Sequence, residues 1–264
     1  MKILLTNDDG FDAPGLLALR KVMEKWGECF VAAPHRERSA SGHGVTLHGS
    51  IRVEKRFEKN RLVGYAIDGT PADCVKFALS EHYKKNLPDL VVSGINPGPN
   101  TGVSIYYSGT IAAAREALFA HVPAFAVSVA DFINSGFDRF AKTALEVIQK
   151  TYRTLGKDEF FYNINIPATP AKPKGVKITH QSHSRFEERF VLASPQDDET
   201  NFEDYFLRGH ILLLKETGMS DEEAVRGGYI SLTPCQLDVS AYSEIEKLEK
   251  IFSRELRSRL KSRK

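Results

Sequence analysis

Short apolar runs alternate with helix-like segments along much of this chain, and this alternation constrains the fold more than any other feature. The apolar runs of strand length lie at 2–6, 29–34, 89–95, 124–129 and 160–167. They are almost continuously apolar, as the strands of a parallel sheet are when helices cover both of its faces. The pattern therefore predicts an α/β fold with a mostly parallel sheet flanked by helices.

Two of the predicted helices have clear start signals. Pro14 opens a segment of helical period that continues to about Trp26. In "DGTPADCV", Thr70 is predicted as the N-cap and Pro71 as the first helical residue, while Asp73 completes a capping box. Two further helices are predicted from near 110 and over 137–155, and alternating segments at 46–56 and 62–68 predict a hairpin excursion.

The regular alternation ends after residue 167, which divides the prediction into a core at 1–167 and a C-terminal region at 168–264. In the second part we expect a hairpin arm that includes 204–214, a final core segment and a C-terminal helix. Apolar residues recur in that helix at 245, 248, 252, 256 and 260. A single apolar stripe of this kind predicts packing on the body of the protein or on a second subunit.

The composition disfavours several classes of protein. The 264 residues carry 36 basic and 34 acidic side chains, so the net charge of +2 indicates no polyanionic partner, and the basic run at 253–264 is more typical of a solvated helix end. Cys29, Cys74 and Cys235 lie far apart without a C-x-x-C pair, which argues against a disulfide framework or a thiolate zinc site. The N-terminus lacks a signal-peptide pattern and the apolar stretch at 111–129 is interrupted, so we expect a cytoplasmic protein without a membrane span.

Three unusual polar segments each follow a predicted buried strand. We call residues 7–10 ("NDDG") the first loop, residues 34–45 (which contain "RERSASGHG") the second loop, and residues 94–110 ("GINPGPNTGVSIYYSGT") the third loop. The carboxyl ends of parallel strands meet at one edge of a sheet, and ligands bind there where the strand order reverses. The sequence therefore predicts that the three loops together form the functional site.

Adjacent carboxylates in the first loop indicate a metal. Asp8 and Asp9 repel each other, and removing either from water costs several kcal/mol unless a cation or hydrogen-bond donors compensate. A divalent ion such as Mg²⁺ or Mn²⁺ would do so, since it prefers carboxylate, amide and hydroxyl oxygens. The alternative is that one carboxylate caps the helix at Pro14 while the other is solvated, although Asp12 is already placed to cap that helix.

The third loop offers groups for both a metal and a phosphate. Asn96 lies just past its strand and could supply an amide oxygen to the same metal or form an Asx-turn. Ser108, Gly109 and Thr110 lie at a predicted helix start, where hydroxyls, free N–H groups and the helix dipole suit a phosphate. Thr110 as a plain N-cap is the simpler alternative, and it is compatible with phosphate binding.

The second loop is less specific. A serine there, Ser39 or Ser41, could be a nucleophile, a ligand or a turn residue, but no G-x-S-x-G surrounds it. His43 is a candidate general acid or base. Other mechanisms fail on residue type: the first loop has no D-x-D, no G-x-G-x-x-G links the first strand to its helix, and no G-x-x-x-x-G-K-[ST] occurs anywhere.

Five motifs in order resemble the SurE family, the survival-protein nucleotidases. They are "ILLTNDDG", "APHRERSASGHGVTL", "GTPADCV", "DLVVSGINPGPNTG" and "YSGTIAAAREAL", and weaker similarity returns at "NINIP", 179–182 and 227–234. The resemblance implies a Rossmann-like core and a metal-dependent phosphomonoesterase that hydrolyses nucleoside 5′- and 3′-monophosphates and also short polyphosphate. It further implies dimers or tetramers built by exchange of C-terminal segments.

The same resemblance assigns site residues. It places one divalent ion per subunit, Mg²⁺ or Mn²⁺, on Asp8, Asp9, Ser39 and Asn96, with Asp8, Asp9 and Asn96 taking part in catalysis. The base is left open between Asp9 and a water activated by the metal. The predicted phosphate-binding residues are Asn7, Ser39, Ser108, Gly109 and Thr110.

Two positions depart from the family pattern. Many members have Asp where this chain has His35, and Pro97 directly follows Asn96. Neither departure touches an assigned ligand. His35 would alter the electrostatic field near the metal, Pro97 stiffens the loop, and both leave the substrate preference open.

Two other functions fit parts of the sequence. A hydrolase of the nucleoside N-glycosidic bond also uses an aspartate-rich metal site at strand ends, and it would release base and ribose instead of phosphate. A nucleotide-sensing or RNA-binding module could use the basic C-terminal helix, and its binding would weaken steeply with salt and persist without metal.

Overall fold

The computed structural model describes residues 1–132, 135–154, 160–169, 172–193 and 202–261. Within these residues, nine strands form one sheet and two form a separate hairpin. The strands of the sheet are β1 (Lys2–Thr6), β2 (Glu28–Pro34), β3 (Val53–Glu58), β4 (Arg61–Ile67), β5 (Leu90–Pro97), β6 (Ala124–Val129), β7 (Phe160–Ile166), β8 (Val176–Ile178) and β11 (Ile230–Gln236). The hairpin pairs β9 (Arg185–Leu192) with β10 (Tyr205–Leu212).

The strands of the sheet are ordered β3-β4-β2-β1-β5-β6-β7-β11-β8. All neighbours from β4 to β7 are parallel, whereas β3 and β11 run antiparallel to β4 and β7. The chain builds outward from β1 in one direction and then from β5 in the other, so the switch point of the sheet lies between β1 and β5. The predicted mostly parallel, Rossmann-like sheet is confirmed.

Helices cover both faces of the sheet. They are α1 (Pro14–Met23), α2 (Pro71–Phe77), α3 (Ser104–Tyr107), α4 (Gly109–Phe119), α5 (Phe137–Tyr152), α6 (Asp221–Arg226) and α7 (Tyr242–Lys261), with a π-helical turn at Ala78–His82. Leu5 packs with Leu16 of α1 in one hydrophobic core, and Leu4 packs with Ile111 of α4 in the other. Neighbouring residues of β1 thus enter opposite cores, as the two-residue period of a strand requires. The predicted helix end at 155 lies outside the described residues.

One of the two predicted helix starts has the predicted cap and the other does not. Thr70 accepts the Asp73 backbone N–H at 3.1 Å while Asp73 Oδ2 accepts the Thr70 N–H at 3.0 Å, which confirms the capping box. Asp12 does not cap α1. Its carboxylate instead pairs with Arg56 at 2.9 Å, and the N-cap residue Ala13 offers no side-chain hydrogen bond. The Asp12 carboxylate therefore binds an arginine on β3 instead of the N–H groups at the start of α1.

The predicted hairpin at 46–56 and 62–68 forms, but it is not an excursion from the sheet. β3 and β4 pair antiparallel as expected. β4 also pairs in parallel with β2, and residues 63–67 are all buried. The expectation of an excursion was wrong, because β4 pairs with β2, a strand distant in sequence, and its residues Tyr65 and Ala66 enter opposite hydrophobic cores.

The C-terminal region completes the sheet. β11 and β8 extend it beyond β7, and Ile230 and Leu232 of β11 belong to one hydrophobic core. The predicted final core segment is therefore part of the same sheet as residues 1–167, and the division of the chain at 167 stays a prediction. The predicted arm at 204–214 includes β10 of the hairpin.

The apolar stripe of α7 has no cover within the chain at its described positions. Ile245, Leu248 and Phe252 are 41%, 50% and 58% exposed. Positions 256 and 260 of the predicted stripe lie outside the described side chains. The stripe was predicted to pack on the body of the protein or on a second subunit. At these three positions it does not pack on the body of the same chain. None of the helices in the described ranges combines the length and apolar character that crossing a membrane requires.

Candidate metal and phosphate site

The first loop is a turn held together by Asn7. Its Nδ2 donates to the Gly10 carbonyl at 3.0 Å, and the Gly10 N–H donates to its Oδ1 at 3.2 Å. Gly10 has a φ of +117°, which favours glycine. Asn7 is fully buried. This arrangement favours a role in shaping the turn, and the predicted contact of Asn7 with phosphate stays a prediction.

Asp8 points from the end of β1 to the start of α4. It is 4% exposed, and Thr110 Oγ1 donates to its Oδ1 at 2.6 Å. Burial raises the pKa of Asp8, although hydrogen bonds from the Thr110 hydroxyl and from backbone N–H groups, including those of Thr110 and Gly109, lower it. The amino end of α4 therefore lies directly against this carboxylate.

This contact changes the interpretation of the predicted phosphate-binding residues. α4 begins at Gly109, which agrees with the predicted start near 110, but the N-cap is Ser108 and not Thr110: the Ser108 hydroxyl oxygen accepts the Ile111 N–H at 3.1 Å. The Thr110 hydroxyl and nearby N–H groups are directed at Asp8. These donors therefore bind the Asp8 carboxylate, whereas the sequence analysis predicted that they would bind a phosphate. Phosphate binding by Ser108, Gly109 and Thr110 stays a prediction.

Asp9 lies beside Asp8, and one of its carboxylate oxygens has no hydrogen-bond donor among the described residues. It is partly buried, and within the described part of the chain its Oδ2 is buried without a hydrogen-bond partner. Burial and the neighbouring charges of Asp8 and Glu37 raise the pKa of Asp9 to about 7. A buried carboxylate oxygen without a donor is costly unless a cation is nearby. The first loop therefore has the electrostatics of a cation site.

The second loop lies next to the first loop. The Arg38 N–H donates to the Asp8 carbonyl at 2.7 Å, which ties the loop to the end of β1. Ser39 is exposed, and its Oγ donates to Glu37 Oε1 at 2.6 Å. Its oxygen lone pairs stay available to a metal while the proton is used. The sequence analysis did not single out Glu37. It is the acidic residue of the second loop, which was predicted to meet the first loop, so its proximity to the two aspartates could have been predicted.

In the third loop, Asn96 lies at the end of β5, next to β1. Its Nδ2 donates to the Gly98 carbonyl at 2.7 Å, which closes a local turn but is not the Asx-turn predicted as the alternative, in which the side-chain oxygen accepts an N–H. This bond uses the amide nitrogen and leaves the amide oxygen as the group that a metal could bind. Asn96 can therefore form the turn and supply a ligand at once.

Buried asparagines that the sequence analysis did not single out hold the third loop. The Asn100 N–H donates to Asn165 Oδ1 at 2.8 Å, its carbonyl accepts from Asn163 Nδ2 at 2.7 Å, and its Nδ2 donates to Ser128 Oγ at 2.8 Å. All four residues are buried. A fully bonded polar network of this kind rigidifies the loop. Asn163 and Asn165 lie in the "NINIP" motif. The sequence analysis noted this motif for its family similarity but did not predict that it would bind Asn100 of the third loop.

The C-terminal region also reaches the third loop. Asp221 accepts the N–H groups of Gly102 at 3.1 Å and Ser182 at 2.9 Å. Burial raises the pKa of Asp221 to about 6, although these N–H donors lower it. Thr101 Oγ1 donates to Glu222 Oε2 at 2.6 Å. Residues beyond 167 thus help to fix the loop that carries Asn96.

The donor set limits which metals suit the site. Among the described residues, no group of three or more His, Cys, Asp or Glu side chains is arranged to hold a metal ion. An ion at Asp8 and Asp9 would therefore rely on hydroxyl, amide or backbone oxygens and water for its other ligands. Such an oxygen-only set fits hard cations such as Mg²⁺ and Mn²⁺.

Raising the pH should destabilise the protein when divalent metal is removed. The pKa of Asp9 in the folded protein, about 7, lies above its ordinary value of 3.8, so its protonated form contributes stability. That contribution is complete below the unfolded pKa and is lost as pH rises towards about 7, by at most about 4 kcal/mol. Added Mn²⁺ should restore stability at the alkaline end, because a cation binds the ionised form.

Thermal unfolding of the EDTA-treated protein between about pH 5 and pH 8 measures this effect. The Asp9→Asn variant, which cannot ionise at this position, should lose less stability over the same range. Superimposable pH profiles for the wild type and Asp9→Asn would contradict the assignment of the effect to Asp9.

The fold and the site together define a class of protein. It is an α/β protein of Rossmann-like topology with two adjacent carboxylates, Asp8 and Asp9, at the switch point of the sheet. The model of the family described as "Survival protein SurE" matches residues 3–188, and the chain belongs to this family. The family resemblance predicted from the sequence motifs is confirmed.

Similar proteins cover nearly the whole chain. "5′-nucleotidase SurE" of Pelotomaculum thermopropionicum is 39% identical over 95% of this chain and 95% of its own length. The protein of the same name from Heliobacterium modesticaldum is 38% identical over 94% of this chain and 90% of its own length. The crystal structure of the SurE protein from Aquifex aeolicus superposes with a TM-score of 0.81 at 32% identity, covering 95% of this chain and 99% of that one.

Proposed function

We propose that this protein is a divalent-metal-dependent phosphomonoesterase that hydrolyses nucleoside 5′- and 3′-monophosphates to nucleoside and phosphate. Short polyphosphate is a further proposed substrate. The observation that carries the proposal is the Asp8–Asp9 pair at the switch point of the sheet, in which Thr110 of α4 donates to Asp8 while Asp9 Oδ2 is buried without a hydrogen-bond partner among the described residues. The two relatives described above are named 5′-nucleotidases, and this supports nucleoside monophosphates as the substrate class.

Asp8, Asp9, Ser39 and Asn96 would hold one divalent ion, Mg²⁺ or Mn²⁺. The fit rests on the buried Asp9 Oδ2, which has no partner among the described residues, and on the oxygen-only donor set. A bound ion would neutralise the carboxylates and polarise the phosphoryl group. The chain itself contributes the fixed position of Asp8, since the Thr110 hydroxyl leaves this carboxylate little freedom to rotate.

Among the residues at the start of α4, Ser108 is the one that we propose binds the substrate. Its Oγ accepts the Ile111 N–H, and in the described part of the chain no acceptor takes its hydroxyl proton. We propose that this hydroxyl donates to a phosphoryl oxygen, while Gly109 and Thr110 act mainly by holding Asp8. Fixed donors of this kind stabilise charge that develops during phosphoryl transfer.

Phosphate release from a panel of 5′- and 3′-mononucleotides and tripolyphosphate tests the proposal. We expect release with Mn²⁺ or Mg²⁺ and its loss after EDTA treatment, with recovery when metal is returned. Release of base and ribose without phosphate would instead identify the N-glycosidic hydrolase. Absence of all release together with salt-sensitive, EDTA-resistant RNA binding would favour the binding module.

We also propose that C-terminal segments are exchanged between subunits in a dimer or tetramer of a cytoplasmic enzyme. Support comes from the uncovered stripe of α7 and from the exposed apolar side chains of the β9–β10 hairpin, such as Phe190 and Phe206. The three free cysteines suit a reducing compartment. Sedimentation velocity should show a smaller species for Leu248→Asp than for the wild type. An unchanged assembly would remove α7 from the proposed interface.

A further inference from the structure

We propose that His43 and Glu116 form a positioning pair that holds the second loop against α4 and so places Ser39 at the metal site. The inference rests on the proposed metal site and adds residues to it that touch neither metal nor substrate. His43 was predicted as a candidate acid or base. The structure instead turns its Nε2 towards a carboxylate on a helix.

Glu116 is a buried charge with two partners from different elements. It is 6% exposed, and it accepts from His43 Nε2 at 2.9 Å and from Lys76 Nζ of α2 at 2.7 Å. Burial alone would raise the pKa of Glu116, but the bonds from His43 and Lys76 outweigh it and the pKa is lowered. The carboxylate thus stays ionised and binds His43 by a charge-assisted hydrogen bond.

The second loop depends on such contacts because it contains no helix or strand beyond the end of β2. Ala40 and Gly42 have φ values of +56° and +54°, so the chain turns sharply just after Ser39. The backbone of the loop is tied at Arg38 to Asp8 and at Gly42 to Tyr107. Within this turn, the His43 side chain joins the loop to α4 through its bond to Glu116 and through contact of its ring with Phe119, whose ring centroid lies 5.6 Å away.

α4 thereby fixes two parts of the site at once. Thr110 at its start holds Asp8, and Glu116 holds the loop that carries Ser39. The two residues lie six positions apart, which is about 9 Å along one rigid helix. A shift of the loop relative to α4 would therefore change the distance between Ser39 and Asp8.

The test compares Mn²⁺ binding, measured by titration calorimetry, in His43→Ala and Lys76→Ala. Both variants remove one partner of the same carboxylate, but only the first releases the loop. We expect His43→Ala to weaken Mn²⁺ binding by about tenfold, as loss of a ligand-orienting residue does. Lys76→Ala should stay within about twofold, because the Lys76 side chain is half exposed and does not belong to the second loop. His43→Gln, whose amide can donate to Glu116, should restore most of the affinity.

Hydrogen exchange of the amides of residues 38–44 supplies a readout that needs no metal. It should be faster in His43→Ala and unchanged in Lys76→Ala. If His43→Ala fails to fold, His43→Asn is a shorter polar variant with the same expectation. Unchanged exchange and affinity in a folded variant at position 43 would overturn the proposal, as would equal losses in Lys76→Ala. If the wild type neither binds Mn²⁺ nor releases phosphate, the proposed function fails, and the exchange rates alone decide whether His43 positions the loop.

Discussion

Replacing Asp8 by asparagine is expected to lower metal-dependent phosphate release by ~100-fold or more while leaving the fold intact. Loss of residues that merely orient a metal ligand costs about 10- to 100-fold, so loss of a ligand charge should cost at least as much. Asparagine has nearly the same shape, and its Oδ1 can still accept the Thr110 hydroxyl that holds Asp8. The loss should therefore reflect charge and not packing.

Asp12→Asn is the matched control for this variant. Asp12 lies in the same segment of the chain, but its carboxylate is exposed and pairs with Arg56 away from the site. Turnover of Asp12→Asn should be close to that of the wild type, and circular dichroism should show the same melting behaviour for Asp8→Asn as for the wild type within a few degrees. Near-normal turnover of Asp8→Asn at saturating Mn²⁺ would remove Asp8 from the metal site.

Adding one methyl group at Gly109 should reduce phosphate release by ~10- to 100-fold. A Cβ at this position would lie 2.8 Å from the Cβ of Asp8 and 2.9 Å from Pro71 Cγ. Neither atom is the end of a flexible chain, so the start of α4 or the first loop must move. A displacement of about 1 Å can cost 100-fold in rate when it changes the positions of reacting groups. Alanine is a good helix residue, so the helix itself should not suffer.

The double variant Asp8→Asn/Gly109→Ala tests whether the methyl group acts through Asp8. If it does, Gly109→Ala should cause little further loss once the Asp8 carboxylate is gone, since effects at contacting residues are not additive. Additive losses in the double variant would show that Gly109 acts on the reaction independently of Asp8. A large fall in the melting temperature of Gly109→Ala alone would attribute its loss to folding.

Local signals accounted for most of the secondary structure. The five predicted apolar runs are strands in the structure, and the capping box at Thr70 begins a helix as expected. The errors occurred where a distant partner decided the outcome. Asp12 was expected to cap α1 but pairs with Arg56, a residue 44 positions away. β4 was expected outside the sheet but lies beside β2 within it.

The same distinction applies to the site. Strand polarity alone predicted that the ends of β1, β2 and β5 would meet, because parallel strands end at one edge of the sheet. It did not predict that Thr110 would bind Asp8 across 102 positions, that Glu37 would add a third carboxylate near Asp9, or that Glu116 would hold His43. Each of these contacts joins side chains on separate elements.

The sequence by itself determined five strands of the sheet and their parallel arrangement, the family, and the pair of aspartates at the end of β1, because apolar period, turn residues and motifs are properties of neighbouring positions. Only the tertiary structure decided that the start of α4 is directed at Asp8, that Asp9 Oδ2 has no donor among the described residues, and that residues beyond 167 hold the third loop. These features depend on burial and hydrogen bonding between distant segments, and a chain acquires them only when it packs.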